Sequence, residues 1–170
     1  MLDVVRLVAL LAVGIVVVAW LGGLFRPDTA VEPVPVDYLA VAATARDEAG
    51  FTLVVPDELP DGWRATSARW EPAEARWHLG VLTADDEYVG LEQVSGDAAT
   101  ARAAYAPDAT EAGAVNVAGR PWLRLVEEET GAVALLDERR ASTLVVTGSA
   151  PEPTLTGFAE RLPAPGSWAG

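Results

Sequence analysis

The chain of 170 residues contains no cysteine, no lysine, one histidine and one methionine. Without cysteine there is no disulfide, no thiolate nucleophile and no lipid-bearing cysteine to anchor the chain. With His78 as the single histidine, a zinc site of histidine and cysteine ligands cannot be assembled from one copy. The H-E-x-x-H, G-x-S-x-G, phosphate-loop and G-x-G-x-x-G patterns are also missing. A Ser–His–Asp triad would have to use His78, and none of the five serines stands in an elbow-like turn, so no triad is expected. The acidic clusters Asp57-Glu58, Asp85-Asp86-Glu87 and Glu127-Glu128-Glu129 lack the D-x-D-x-D-G spacing of a calcium loop. They fall at turns and read as solvated caps. No catalytic residue, metal ligand or cofactor is therefore assigned.

Basic charge is scarce too. Twelve arginines face 25 acidic residues, for a net charge of −13. Asp3 and Arg6 cancel, so the excess lies further along the chain. A surface this acidic repels nucleic acid and anionic lipid headgroups. The replacement of every lysine by arginine, beside abundant alanine, glycine, valine and proline, is a matter of codons rather than of function.

What the chain does have is a long apolar run near its start. Leu7 to Phe25 reads LVALLAVGIVVVAWLGGLF, nineteen residues without a charge. As a helix it measures roughly 28 Å, close to the hydrocarbon thickness of a bilayer. A cleavable signal peptide has a shorter apolar region, about 7 to 15 residues, followed by an A-x-A-like site. Here Asp28 occupies the position three before a cut after Ala30. An uncleaved single span is expected. Arg6 and Arg26 flank it almost symmetrically, so charge alone hardly orients it.

The expected organisation follows: an N-terminal tail over 1–6, a transmembrane helix over 7–25, a proline-rich linker over 26–36, a globular domain over 37–162 and a tail over 163–170. Pro27, Pro33 and Pro35 stiffen the linker. Asp37 is placed to cap a helix running to about Ala49, with Gly50 as its stop. Phe51 to Val55 is a short apolar run. Period-two alternation then predicts strands over Trp63–Trp70, Arg76–Thr83, Glu87–Val94, Ala114–Ala118, Pro121–Glu127, Ala132–Glu138 and Thr143–Thr147. Asp97 caps a short alanine-rich helix, Pro107 to Gly113 reads as a loop, and Pro151 and Pro153 introduce a last helix. The fold class expected is α+β: a curved, mostly antiparallel sheet of about seven strands, its apolar face covered by two or three helices.

Two tryptophan-led segments, starting at Trp77 and Trp122, hint at an internal repeat. Strand alternation puts Trp77, Leu79 and Val81 on the core face and His78 on the other. If Trp70 pairs with Trp77, Trp70 joins the core and Trp63 is left on the face of His78. Trp63 and His78 are then the candidate binding residues.

LPDGWRATSARWEP, from Leu59 to Pro72, and WHLGVLTADDEYVGLEQ, from Trp77 to Gln93, resemble the actinobacterial membrane-anchored family catalogued as domain of unknown function 4245. GRPWLRL, from Gly119, and VVTGSA, from Val145, fit the same pattern. A glycine is expected in the turn at Ala84-Asp85-Asp86, and this chain departs there. The resemblance implies a single-span protein of the cell membrane, with a cytoplasmic N-terminus and an extracytoplasmic domain. It brings no activity and no site residues. The expected role is a non-catalytic accessory domain that binds a small ligand or a protein partner. The rivals are a cell-envelope hydrolase using carboxylates and a structural subunit of a membrane complex. Two facing carboxylates about 5 to 9 Å apart in a crevice would favour the hydrolase, an apolar groove without titratable groups would favour binding, and a flat apolar patch would favour assembly.

Overall fold

Alternating apolar and polar residues do not hydrogen-bond to themselves as a helix does; they need neighbours, and here seven strands supply them to one another. A computed structural model describes residues 36–164. The apolar run Leu7–Phe25, the linker to residue 35 and the tail from residue 165 lie outside the described residues. No helix among the described residues is long and apolar enough to cross a membrane.

The elements are α1 (Tyr38–Arg46), β1 (Arg64–Glu71), β2 (Arg76–Leu82), β3 (Tyr88–Ser95), α2 (Ala98–Tyr105), β4 (Thr110–Val117), β5 (Arg120–Val126), β6 (Val133–Glu138), β7 (Ser142–Gly148) and α3 (Glu152–Glu160). A 3-10 turn over Pro72–Glu74 joins β1 to β2. The two caps read from the sequence are in place. Asp37 accepts the amide of Ala40 at 3.0 Å, and Asp97 accepts that of Thr100 at 2.9 Å.

The sheet runs β1-β2-β3-β7-β6-β5-β4, antiparallel at every pairing. It is an open α+β sheet made of two meanders, β1 to β3 and β4 to β7, joined edge to edge at β3 and β7. One face carries Trp77, Leu79, Leu91, Trp122, Leu135, Leu144 and Val146. It packs against Ala42 and Ala45 of α1, Leu155 and Phe158 of α3, and the segment Leu53–Val55. The alternate residues Val94, Leu125, Ala134, Leu136 and Val145 form a second, smaller core under Ala101 of α2.

Three expectations change here. Helices cover both faces rather than one, because β6 and β7 are apolar on both sides, with continuous buried runs instead of alternation. The stretch read as a loop before Ala114 is strand from Thr110 on. A register shift between Glu111 and Ala114, with Gly113 at φ +93°, lets β4 continue through what looked like a break. The hinted repeat is also not a structural duplication. β1-β2-β3 and β4-β5-β6 run with equal strand directions but opposite spatial order, and Trp77 and Trp122 share one core. A half-turn about an axis along the strands superposes the two orders but exchanges the faces of the sheet, which would put the two tryptophans on opposite sides.

Candidate functional site

His78 lies mid-way along β2, opposite Glu92 of β3. Its Nδ1 stands 2.5 Å from Glu92 Oε1, and its Nε2 stands 2.8 Å from Ser67 Oγ on β1. Ser67 pairs with Gly80, so it reaches His78 on the diagonal. The floor beside the imidazole is a glycine pair, Gly80 and Gly90. A Cβ on either would meet the Tyr88 hydroxyl at 3.1 Å, so the tyrosine lies flat across them. Burial raises the Tyr88 pKa, helped by Glu92 and opposed by Arg69. Tyr105, from the end of α2, closes the other side; burial is the main cause of its raised pKa, with the Arg76 hydrogen bond acting against it. His78 is only 7% exposed.

Nucleophile, base and orienting carboxylate are therefore in sequence, an arrangement not expected from the order of residues. The signal for half of it was legible: a hairpin turning on Asp85 places residue 78 opposite residue 92. The serine was missed because it acts across a diagonal from mid-strand. That position also limits the chemistry. Strand amides point along the ladder, in the plane of the sheet, whereas an oxyanion would form above it, over Ser67. In such an array the imidazole can exchange a proton with Ser67 while Glu92 orients the ring. The three groups also satisfy one another's polar atoms in a nearly closed position.

Trp63 is elsewhere. It packs against the helix-side core and stacks on Phe158 of α3, with ring centroids 6.0 Å apart and planes 10° apart. The register Trp70 opposite Trp77 is as expected. A shift between Ala65 and Ser67 then inserts one extra residue, which returns Trp63 to the face of Trp70. Trp63 and His78 thus lie on opposite faces and form no common surface. Trp70 is half-buried, edge-on to Phe51, and donates its indole N–H to Glu48 at 3.0 Å.

The acidic clusters sit at exposed turns, where Asp86 pairs with Arg64 and Glu127 accepts from Thr130. Among the described residues no group of three histidines, aspartates or glutamates could hold a metal. Asp108 and Glu127 line one recess, but at about 100 Å³ it is too small for a sugar ring and its water.

A larger opening exists where no motif pointed. Gln93 alternates onto the helix side of β3 and is fully buried. Its Oε1 accepts Val54 N–H at 2.8 Å, and its Nε2 donates to Thr52 O and to Ser142 Oγ, each at 2.9 Å. One amide side chain thus ties the irregular segment Phe51–Val54 to the sheet, satisfying backbone groups that a further strand would otherwise have paired. Between that segment, the end of α1 and the β6–β7 turn lies a cleft of about 700 Å³. Its titratable lining side chains are Arg46, Arg139 and Arg140, with no carboxylate.

Each arginine is held differently. Arg46 is in the last turn of α1, where a cation complements the helix dipole. Arg139 donates to Asp137 at 2.9 Å and to the carbonyl of Pro163 at 3.1 Å. Burial pulls its pKa below the usual arginine value, against the pull of Asp137. Arg120 also bonds Asp137, so one carboxylate faces two guanidiniums. Arg140 is exposed, and among the described residues it makes no ion pair. In a chain of net charge −13, this is a local reversal of sign.

No curated protein and no solved structure matches the chain. A family model described as "Protein of unknown function (DUF4245)" matches residues 2–162. That span takes in the apolar run, the linker and every element of the sheet, including Gln93 and the arginines of the cleft; the chain belongs to the DUF4245 family.

Proposed function

We propose that this protein is a non-catalytic accessory domain that binds a small ligand in the cleft beside Gln93. In this reading the domain is carried outside the cytoplasm by the span Leu7–Phe25. The observation that carries the binding role is the cleft itself: about 700 Å³, within the usual range of small-molecule sites, with one wall pinned by a buried side chain. A wall held in place before binding lowers the ordering cost of a ligand. The carboxylate-hydrolase reading draws no support from this cleft, which has no acidic lining residue. Leu39 is the exposed large apolar side chain among the described residues, which gives assembly through a flat apolar patch little to rest on.

Placement and binding are tested separately. Protease added to intact spheroplasts should digest the domain; digestion only after lysis would reverse the orientation. For binding, the full chain in phosphatidylcholine nanodiscs is titrated with phenol and with phenyl phosphate, followed by amide chemical shifts. At least one probe should shift residues 50–54 and 139–142. Ala141→Trp, placed on an exposed cleft residue, should abolish that response by filling the space. Absence of binding by both probes would overturn the cleft as a ligand site.

A further inference from the structure

The ligand class can be read from the charge of the cleft, an inference that rests on the cleft being the binding site. We infer that the cleft takes an oxyanion, a phosphate or carboxylate group, attached to a small apolar body. The three titratable groups of the lining are guanidiniums on two separate elements, the end of α1 and the β6–β7 turn. Guanidinium presents a planar fork of donors that matches phosphate and carboxylate oxygens. Arg139 is 12% exposed in its side chain and committed to Asp137 and Pro163, so it sets the local potential more than it reaches out. Arg140, exposed and without an ion pair among the described residues, is the group that can engage a ligand oxygen directly.

Several features oppose an anion: the C-terminal end of α1, Asp137, and the exposed carboxylates Asp47, Glu48 and Glu138 that adjoin lining residues in the chain, of which Glu48 accepts from Trp70 and Glu138 from Ala98. The C-terminal end of α1 contributes a partial negative charge of about half a unit. The Ala45 carbonyl at that end is already taken by the amides of Asp47, Glu48 and Ala49. Asp137 is negative but shared by Arg120 and Arg139. The apolar part of the ligand is specified by Phe51, Leu53 and Ala49, which line the same space. A bare inorganic anion would leave that surface unused. The acidity of the remaining surface makes the cleft selective, since an anion is repelled elsewhere and accepted here.

The test compares three probes on the full chain in phosphatidylcholine nanodiscs: phenyl phosphate, phenol and inorganic phosphate. Phenyl phosphate should bind at least about tenfold more tightly than either of the others, and its affinity should weaken with added salt. Arg140→Gln should remove most of that preference, about tenfold, while leaving phenol unchanged. Equal binding of phenol and phenyl phosphate, with no effect of Arg140→Gln, would overturn the oxyanion and leave the cleft as a neutral site. Equal binding of inorganic phosphate and phenyl phosphate would overturn the apolar body. Failure of all three probes would remove the cleft reading along with this one.

Discussion

The two faces of the β1–β2–β3 meander are built from the same three strands and solve burial in opposite ways. Toward α1 and α3, Trp77, Leu79, Val81 and Leu91 fill the space with apolar volume. On the reverse side stand Ser67, His78, Glu92 and the glycine pair under Tyr88, and burial is tolerated because each polar group is met by a neighbour. Gln93 is the exception on the apolar face: an amide among tryptophan and leucine, with its carbonyl and its amino group bonded. The contrast teaches that burial alone did not decide residue type here. Volume was needed where helices pack, and matched donors and acceptors were needed where strands or loops had to be joined.

The contrast can be broken on each side. Trp77→Ala should have the largest effect, about 3 to 5 kcal/mol, because the surrounding helices and strands cannot collapse into the space left. Urea unfolding followed by tryptophan fluorescence measures it; an effect below that of Trp70→Ala would mean the apolar face is misassigned, since Trp70 is only half-buried. Gln93→Leu should cost about 3 kcal/mol although it is apolar and of similar size, because Val54 N–H, Thr52 C=O and Ser142 Oγ lose their partner. A silent Gln93→Leu would show that Phe51–Val54 is held by packing alone.

His78→Ala should come next, at about 1 to 3 kcal/mol, the cost of leaving Glu92 and Ser67 without the imidazole in a closed site. From alternation alone this change looked cheap, since His78 was expected on the face away from the core.

Acid should act more gently, through the ion pair between β5 and α3. Hydrogen bonds from Arg124, at 2.7 and 2.8 Å, hold the Glu152 carboxyl below the usual range. A carboxyl with a lowered folded pKa stabilises above its unfolded pKa, and that contribution is lost as pH falls through the folded value. Stability of the parent should therefore drop more steeply than that of Glu152→Gln as pH is taken below the ordinary carboxylate range. Parallel acid profiles would dismiss the pair. The smallest effect on stability should be that of Arg140→Gln, within about 0.5 kcal/mol, as for an exposed group with no ion pair among the described residues. A larger loss would show that Arg140 supports the turn, and its use as a binding probe would fail.

The sequence by itself determined the elements. Seven strands, the two aspartate caps and the proline-led last helix follow from period, capping and turn chemistry, all set by residues close together in the chain. It also determined which residues of the first hairpin face the core, because Trp77, Leu79 and Val81 alternate without a break. The tertiary structure decided what lies beyond one hairpin. One inserted residue at Ala65–Ser67 carried Trp63 to the opposite face, and nothing local marks that bulge. The arrival of β7 beside β3 brought Ser142 to Gln93, 49 positions away. The same pairing placed Arg139 and Arg140 across from Arg46 and Phe51. Strand order is a choice among pairings that bury similar area, settled only when every strand finds its neighbour. A site assembled from the stretch between Arg46 and Val54, the β6–β7 turn and one buried amide therefore leaves no spacing in the sequence for a motif to detect.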